Sequence, residues 1–130
     1  MLQVNQGSNR MWSPDGVRNI GMEPTGVFKF SGVDAEPVHE WDSGAGRYND
    51  NIVGWSYPVV QDWVDPSTGE VFRQNQIMVT IDSSHKLALK FGDEVRFDGL
   101  GGFYSRRSRH FRAHAEKIER VKKGEKDEKN

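Results

Sequence analysis

Residues 52–64, Ile-Val-Gly-Trp-Ser-Tyr-Pro-Val-Val-Gln-Asp-Trp-Val, place the strongest constraint on the fold. In an extended chain Val53, Trp55, Tyr57, Val59 and Trp63 fall on one face, with Gly54, Ser56, Pro58 and Asp62 on the other. Successive strand side chains point to opposite faces, so large apolar groups at every second position predict a half-buried β-strand. Pro58 has no N–H for a ladder, which puts it at an edge, at a bulge or in an outward-facing position.

The flanking segments continue the β reading. Asp65-Pro66-Ser67-Thr68-Gly69 is a turn: Pro66 pre-sets φ, Asp65 can cap, and Gly69 supplies a positive φ. A return strand follows, with Ile77, Val79 and Ile81 inward and Gln76, Met78 and Thr80 outward. Val27 to Val33 is short, aromatic and β-branched, as a strand requires. Leu87, Leu89 and Phe91 fill the stretch before Gly92, and Val95 and Phe97 alternate inward from 93 to 98. Residues 34–51 are rich in Gly, Asn, Asp and Pro and read as a long loop, and the glycines of 99–102 read as a flexible turn. From Phe111 to Val121 strand and helix spacings compete. The other strands need a closing partner, which favours a strand with a bulge near Glu116 over a helix.

The expected fold is therefore all-β: a small barrel of five to six strands close to the oligonucleotide-binding fold, with an open sheet or sandwich as alternatives. Residues 1–21 are expected to be an extended, flexible arm, with Trp12 docking on the body. Residues 22–121 form the single domain. Residues 122–130, KKGEKDEKN, have nothing to bury and are expected to be disordered.

Composition removes several chemistries. The 130 residues contain no cysteine, which excludes disulfides, thiolate zinc and a cysteine nucleophile. No run approaches the ~18 apolar residues of a membrane helix, and MLQVNQGSNR lacks an apolar signal core. The expectation is a soluble, cytoplasmic protein without membrane contact. Ser56 lies in Gly-Trp-Ser-Tyr-Pro, which lacks the second glycine of a nucleophile elbow. The 99–102 glycines lack the Lys-Ser/Thr ending of a phosphate loop, and Asp93 and Glu94 alternate faces. On a helix His110 and His114 would share one face and could hold zinc, whereas on the favoured strand they share a face but are spaced too far apart for one metal ion. Neither an active site nor a cofactor or metal is expected.

The net charge of −1 conceals a division. Residues 1–98 carry 8 basic and 14 acidic side chains, whereas residues 99–130 carry 10 basic and 5 acidic. The basic excess is densest in Phe-Tyr-Ser-Arg-Arg-Ser-Arg-His-Phe-Arg, residues 103–112, where Arg106, Arg107, Arg109 and Arg112 have no acid among them. Guanidinium groups neutralise phosphates, and aromatic rings stack on unpaired bases. In an oligonucleotide-binding barrel this segment would be the loop between the last two strands, one wall of the cleft. Phe103 and Tyr104 are the expected stacking rings. Arg96 is expected to continue the groove, with Lys117, Arg120 and Lys29 as possible extensions. Trp41 and Tyr48, in the first loop, are further stacking candidates.

Residues 26–33 (GVFKFSGV), 38–42 (VHEWD), 46–47 (GR) and 54–59 (GWSYPV), with 77–81 (IMVTI), 91–97 (FGDEVRF) and 113–118 (AHAEKI), resemble the helicase processivity factor family of small accessory proteins from Gram-positive conjugative elements. The likeness spans about residues 21–121. It implies an all-β domain that helps a host helicase unwind element DNA, in contact with single-stranded DNA, the helicase or both. It carries no catalytic residues, and neither the arm nor the Arg-dense stretch belongs to its pattern.

Two functions follow as expectations. The first is a non-enzymatic nucleic-acid-binding accessory protein, with single-stranded DNA favoured and a helicase or relaxase as protein partner. The second is an interaction module that docks on a helicase, relaxase or phage component through its aromatic first loop, without touching DNA. Strand preference and oligomeric state are left open by the sequence.

Overall fold

The computed structural model describes residues 12–107 and 109–121. They form one short helix, α1 (Pro14–Arg18), and eight strands: β1 (Phe28–Phe30), β2 (Glu36–Asp42), β3 (Arg47–Val64), β4 (Val71–Ile81), β5 (Glu94–Asp98), β6 (Gly101–Ser105), β7 (His110–Ala115) and β8 (Lys117–Arg120). The strands make one mixed sheet in the order β6-β7-β4-β3-β1-β5-β8, with β2 paired to β3. The β4–β7 pair is parallel, and every other pair is antiparallel.

The mostly-β expectation holds, but the closed barrel of five to six strands does not. The hydrogen-bonded sheet is open and has eight strands. Closure fails at Glu116: the β4–β7 ladder ends at Ile81↔Ala115, and the β5–β8 ladder begins at Asp98↔Lys117. The last segment is thus a strand broken at the expected position. Its halves serve different neighbours, and Glu116 donates its N–H to the Asp98 carbonyl at 2.8 Å.

The core lies under the second half of β3. Tyr57 and Val59 are buried with Phe28, Phe30, Ile77, Val79, Ile81, Val95, Phe97, Ala113 and Ala115. Removing a side chain such as Tyr57 or Phe28 from water contributes about 1.5–3 kcal/mol, so these alternating positions fix the register. The period predicted from sequence is interrupted twice. Gln61 takes the next buried place, accepting from the Glu23 N–H and donating to the Glu23 carbonyl, and so ties the chain before β1 to the core. A register shift between Gln61 and Trp63 moves Trp63 aside to stack on Phe72 at 5.9 Å. Val53 is exposed because it lies on the β2–β3 ribbon, away from the core.

Pro58 is buried in a central strand, at the place where β3 changes neighbour. Pairing with β2 ends at Ser56, and pairing with β1 begins at Val59. The Pro58 carbonyl accepts from Ser31 N–H at 3.0 Å on that side, so the missing donor points into the changeover.

Residues 34–51 are mostly hairpin rather than loop. Turn formers occupy 43–46, closed by Gly46 N–H to Asp42 O at 2.8 Å, with Gly46 at φ +68°. Asn49 and Asn51 donate across the ribbon to Glu40 Oε1 at 3.0 and 3.1 Å. Residues 82–93 form no strand; Leu87 and Leu89 pack on the core, and Phe91 stays exposed.

The described part of the expected arm is docked, not extended. Ser13 caps α1 through its Oγ, Pro14 occupies the first turn, and Val17 and Met22 are fully buried. Gly101 and Gly102 therefore belong to β6 rather than to a flexible turn. The Trp12 carbonyl occupies the place of a Gly101 Cβ, the Gly102 carbonyl that of a Gly16 Cβ, and Gly102 N–H donates to Ser13 O at 3.0 Å. Residues 1–11 and the 122–130 tail lie outside the described residues.

Candidate nucleic-acid interface

β6 and β7 form a hairpin that carries the Arg-rich segment at and beyond its turn. Arg106, Arg107 and Arg109 are exposed in that turn, and Arg112 is exposed on β7. Arg109 closes the turn with its N–H on Ser105 O at 2.7 Å and adopts φ +61°. Among the described residues none of these four guanidinium groups makes an ion pair or a side-chain hydrogen bond. Arg18 and Arg120 are committed to the fold instead: Arg18 bridges Asp15 and Glu23 at 3.3 Å, and Arg120 meets Asp93 and the Ala88 carbonyl.

The ladder divides the expected stacking rings. Phe103 pairs with Arg112, and Tyr104 pairs with Phe111, so Phe103 and Tyr104 occupy opposite faces of the hairpin. Phe103 is half-buried, 5.3 Å from the Trp12 ring. Tyr104 is 60% exposed.

Arg96 is not brought to this hairpin. It lies on β5, between β1 and β8 on the sheet path, with Glu119 as its register partner. Lys117 on β8 and Lys29 on β1 belong to that same part of the sheet. With Arg120 held by Asp93, the continuous track of cations expected from the sequence reduces to the β6–β7 hairpin.

Trp41 and Tyr48 are also placed elsewhere. They face each other across the β2–β3 hairpin with ring centroids 4.9 Å apart and are 55% and 65% exposed. Glu36, Glu40, Asp42 and Asp50 share that hairpin with a single cation, Arg47. Hydrogen bonds from Asn49 and Asn51 hold the Glu40 carboxyl below the usual carboxylate range. A phosphate backbone would meet net negative charge here.

A third arrangement, between the hairpins, has no local signature in the sequence. A groove of about 590 Å³ runs over the outward face of β4 and β7, lined by Trp12, Val38, Met78, Thr80, Asp82, Arg112 and His114 among others. The Trp12 ring stacks on His114 at 5.1 Å and 29°, and His114 Nε2 lies 2.9 Å from Asp82 Oδ2. An ionised carboxylate can only accept, so the imidazole donates. The parts come from four separate segments, and only the docking of Trp12 was foreseeable from local pattern. His110 is exposed on the hairpin, and among the described residues no group of three or more His, Asp or Glu side chains is placed to hold a metal ion. Comparison of the chain with protein-family models, with curated proteins and with solved structures finds no match.

Proposed function

We propose that this protein is a non-enzymatic nucleic-acid-binding accessory protein that holds single-stranded DNA on the β6–β7 hairpin and aids a helicase in mobile-element DNA processing. The observation that carries this reading is the hairpin itself: four exposed guanidinium groups, three in its turn and one on β7, without acid partners among the described residues, beside an exposed tyrosine. Such groups neutralise backbone phosphates irrespective of sequence, and a tyrosine face accepts any base. The helicase link rests on the family resemblance of the sequence.

A barrel-like reading of the fold accompanies this proposal. β7 and β8 are separated by Glu116 alone, and they pair with β4 and β5 respectively. On this reading the strand succession β1, β3, β4, β7, then β8 and β5 approaches that of an oligonucleotide-binding barrel left open between β7 and β8, with the β6–β7 hairpin as the last long loop. Titrating a labelled single strand at several salt concentrations tests the function. Tight binding that weakens steeply with salt supports it, and absence of binding at low salt contradicts it.

The acidic β2–β3 hairpin favours a second reading, a protein-docking module. Exposed Trp41 and Tyr48, on a hairpin that carries four carboxylates, suit a partner surface with basic and apolar groups better than they suit DNA. A helicase or relaxase captured through Trp41 after nuclease treatment, with the arginines dispensable, would favour this reading over the first.

A further inference from the structure

We propose that the groove between Trp12, Asp82 and Arg112 takes one unstacked nucleobase that bears an exocyclic amino group, with the amino group on Asp82 and the adjoining phosphate on Arg112. This inference rests on the nucleic-acid reading and adds a base preference to it. The groove has the volume of a small-molecule pocket. Its outer wall is the Trp12 ring, which the fold holds in place: the Ser13 carbonyl accepts from Gly102 N–H, and β6 has no Cβ at Gly101 to push the Trp12 backbone away. Phe103 and His114 both pack against that ring, so it is already oriented.

Polarity decides what enters. Asp82 and Glu116 both line the groove, and a phosphate cannot sit between two carboxylates. A base edge that presents N–H donors can. Asp82 Oδ2 is occupied by His114, which leaves Oδ1 as the main acceptor, and the Asp82 side chain is otherwise largely open to solvent. Cytosine N4, adenine N6 and guanine N2 each offer an amino group to such an oxygen. Thymine offers N3–H between two carbonyl oxygens, which a carboxylate repels. Arg112 has no ion-pair partner among the described residues and lines the same groove, so a phosphate next to the bound base finds its counter-charge there.

The test compares labelled oligodeoxycytidylate with oligodeoxythymidylate of equal length, by fluorescence anisotropy at one fixed salt concentration. Both are pyrimidine strands, which keeps differences in stacking small. One charge-assisted hydrogen bond predicts about tenfold or more tighter binding of the cytidylate. Asp82→Asn keeps the shape and an acceptor for His114, but its amide can also donate to thymine O4. In that variant the preference should shrink to about twofold or less while thymidylate affinity is retained. Equal binding of both strands by the native protein, or a preference unchanged in Asp82→Asn, overturns the base pocket and leaves the hairpin reading standing. Failure of both strands to bind overturns the two together.

Discussion

Arg112 stands directly opposite Phe103 across the β6–β7 ladder, and Phe103 in turn packs against the Trp12 ring. The cation is thereby carried on a braced strand, whereas Arg106, Arg107 and Arg109 belong to the turn. The hairpin combines one guanidinium on a braced strand with three exposed in its turn.

Arg109 gives the clearest separation of fold from function. Its φ of +61° is a left-handed conformation that costs a side-chain-bearing residue about 1–2 kcal/mol. Arg109→Gly relieves this and adds some unfolded-state entropy, so urea denaturation should show stability equal to the native protein or up to ~1 kcal/mol higher. Affinity for single-stranded DNA should fall at the same time. A variant that is less stable and binds DNA normally would show that the arginine serves the turn and not the ligand.

Gly101→Ala tests the docking of the N-terminal segment. The added Cβ would occupy the place of the Trp12 carbonyl, so either β6 or the segment must move. Overpacking of this kind costs about 1–3 kcal/mol. Melting temperature should drop, and tryptophan emission should shift to the red as Trp12 leaves His114 and Phe103. Unchanged emission would mean that Trp12 is not held where the ring contacts place it.

Acid sensitivity should trace in part to Glu23. Burial raises its pKa, but hydrogen bonds from Arg18 and Thr25 outweigh this and leave the carboxyl below its usual range. A carboxyl depressed on folding contributes stability that is complete above its unfolded pKa of about 4.3 and is lost as pH falls through the folded value. Glu23→Gln should therefore flatten the decline of stability below about pH 4.3, as followed by denaturation at stepped pH. An equally steep decline in the variant would assign the effect to other carboxyls.

Much of the sheet was legible in the sequence because alternation reports burial directly. Ile77, Val79 and Ile81 point inward and Met78 outward as their period requires, and the break at Glu116 was visible as a conflict of spacings. The hairpin at 36–51 was hidden because Asn49 and Asn51 serve a ladder, where they reach across to Glu40, while asparagines in sequence read as turn. Gly101 and Gly102 misled in the same way. Their lack of side chains serves the close approach of Trp12, a contact between segments about 90 residues apart that no local pattern reports. The candidate site divides likewise: the arginine hairpin is contiguous and was readable, while Trp12, Asp82 and His114 meet only in the fold.

Trp41→Ala with Tyr48→Ala separates the two hairpins. These rings lie on the acidic β2–β3 hairpin, so the double variant should bind single-stranded DNA within about twofold of the native protein. On the docking reading alone, capture of a helicase or relaxase partner should also be lost. A large drop in DNA affinity would place the strand on the acidic hairpin and contradict the site drawn here.

The salt dependence of single-stranded DNA binding tests the central claim most directly. Each phosphate neutralised on a single strand contributes about −0.7 to the slope of log K against log salt, so four hairpin arginines predict a slope of about −3. Arg106→Ala with Arg107→Ala should make the slope shallower by about 1.4 with the melting temperature unchanged. A slope near zero, or one that the double variant leaves unaltered, would contradict the hairpin as the nucleic-acid interface.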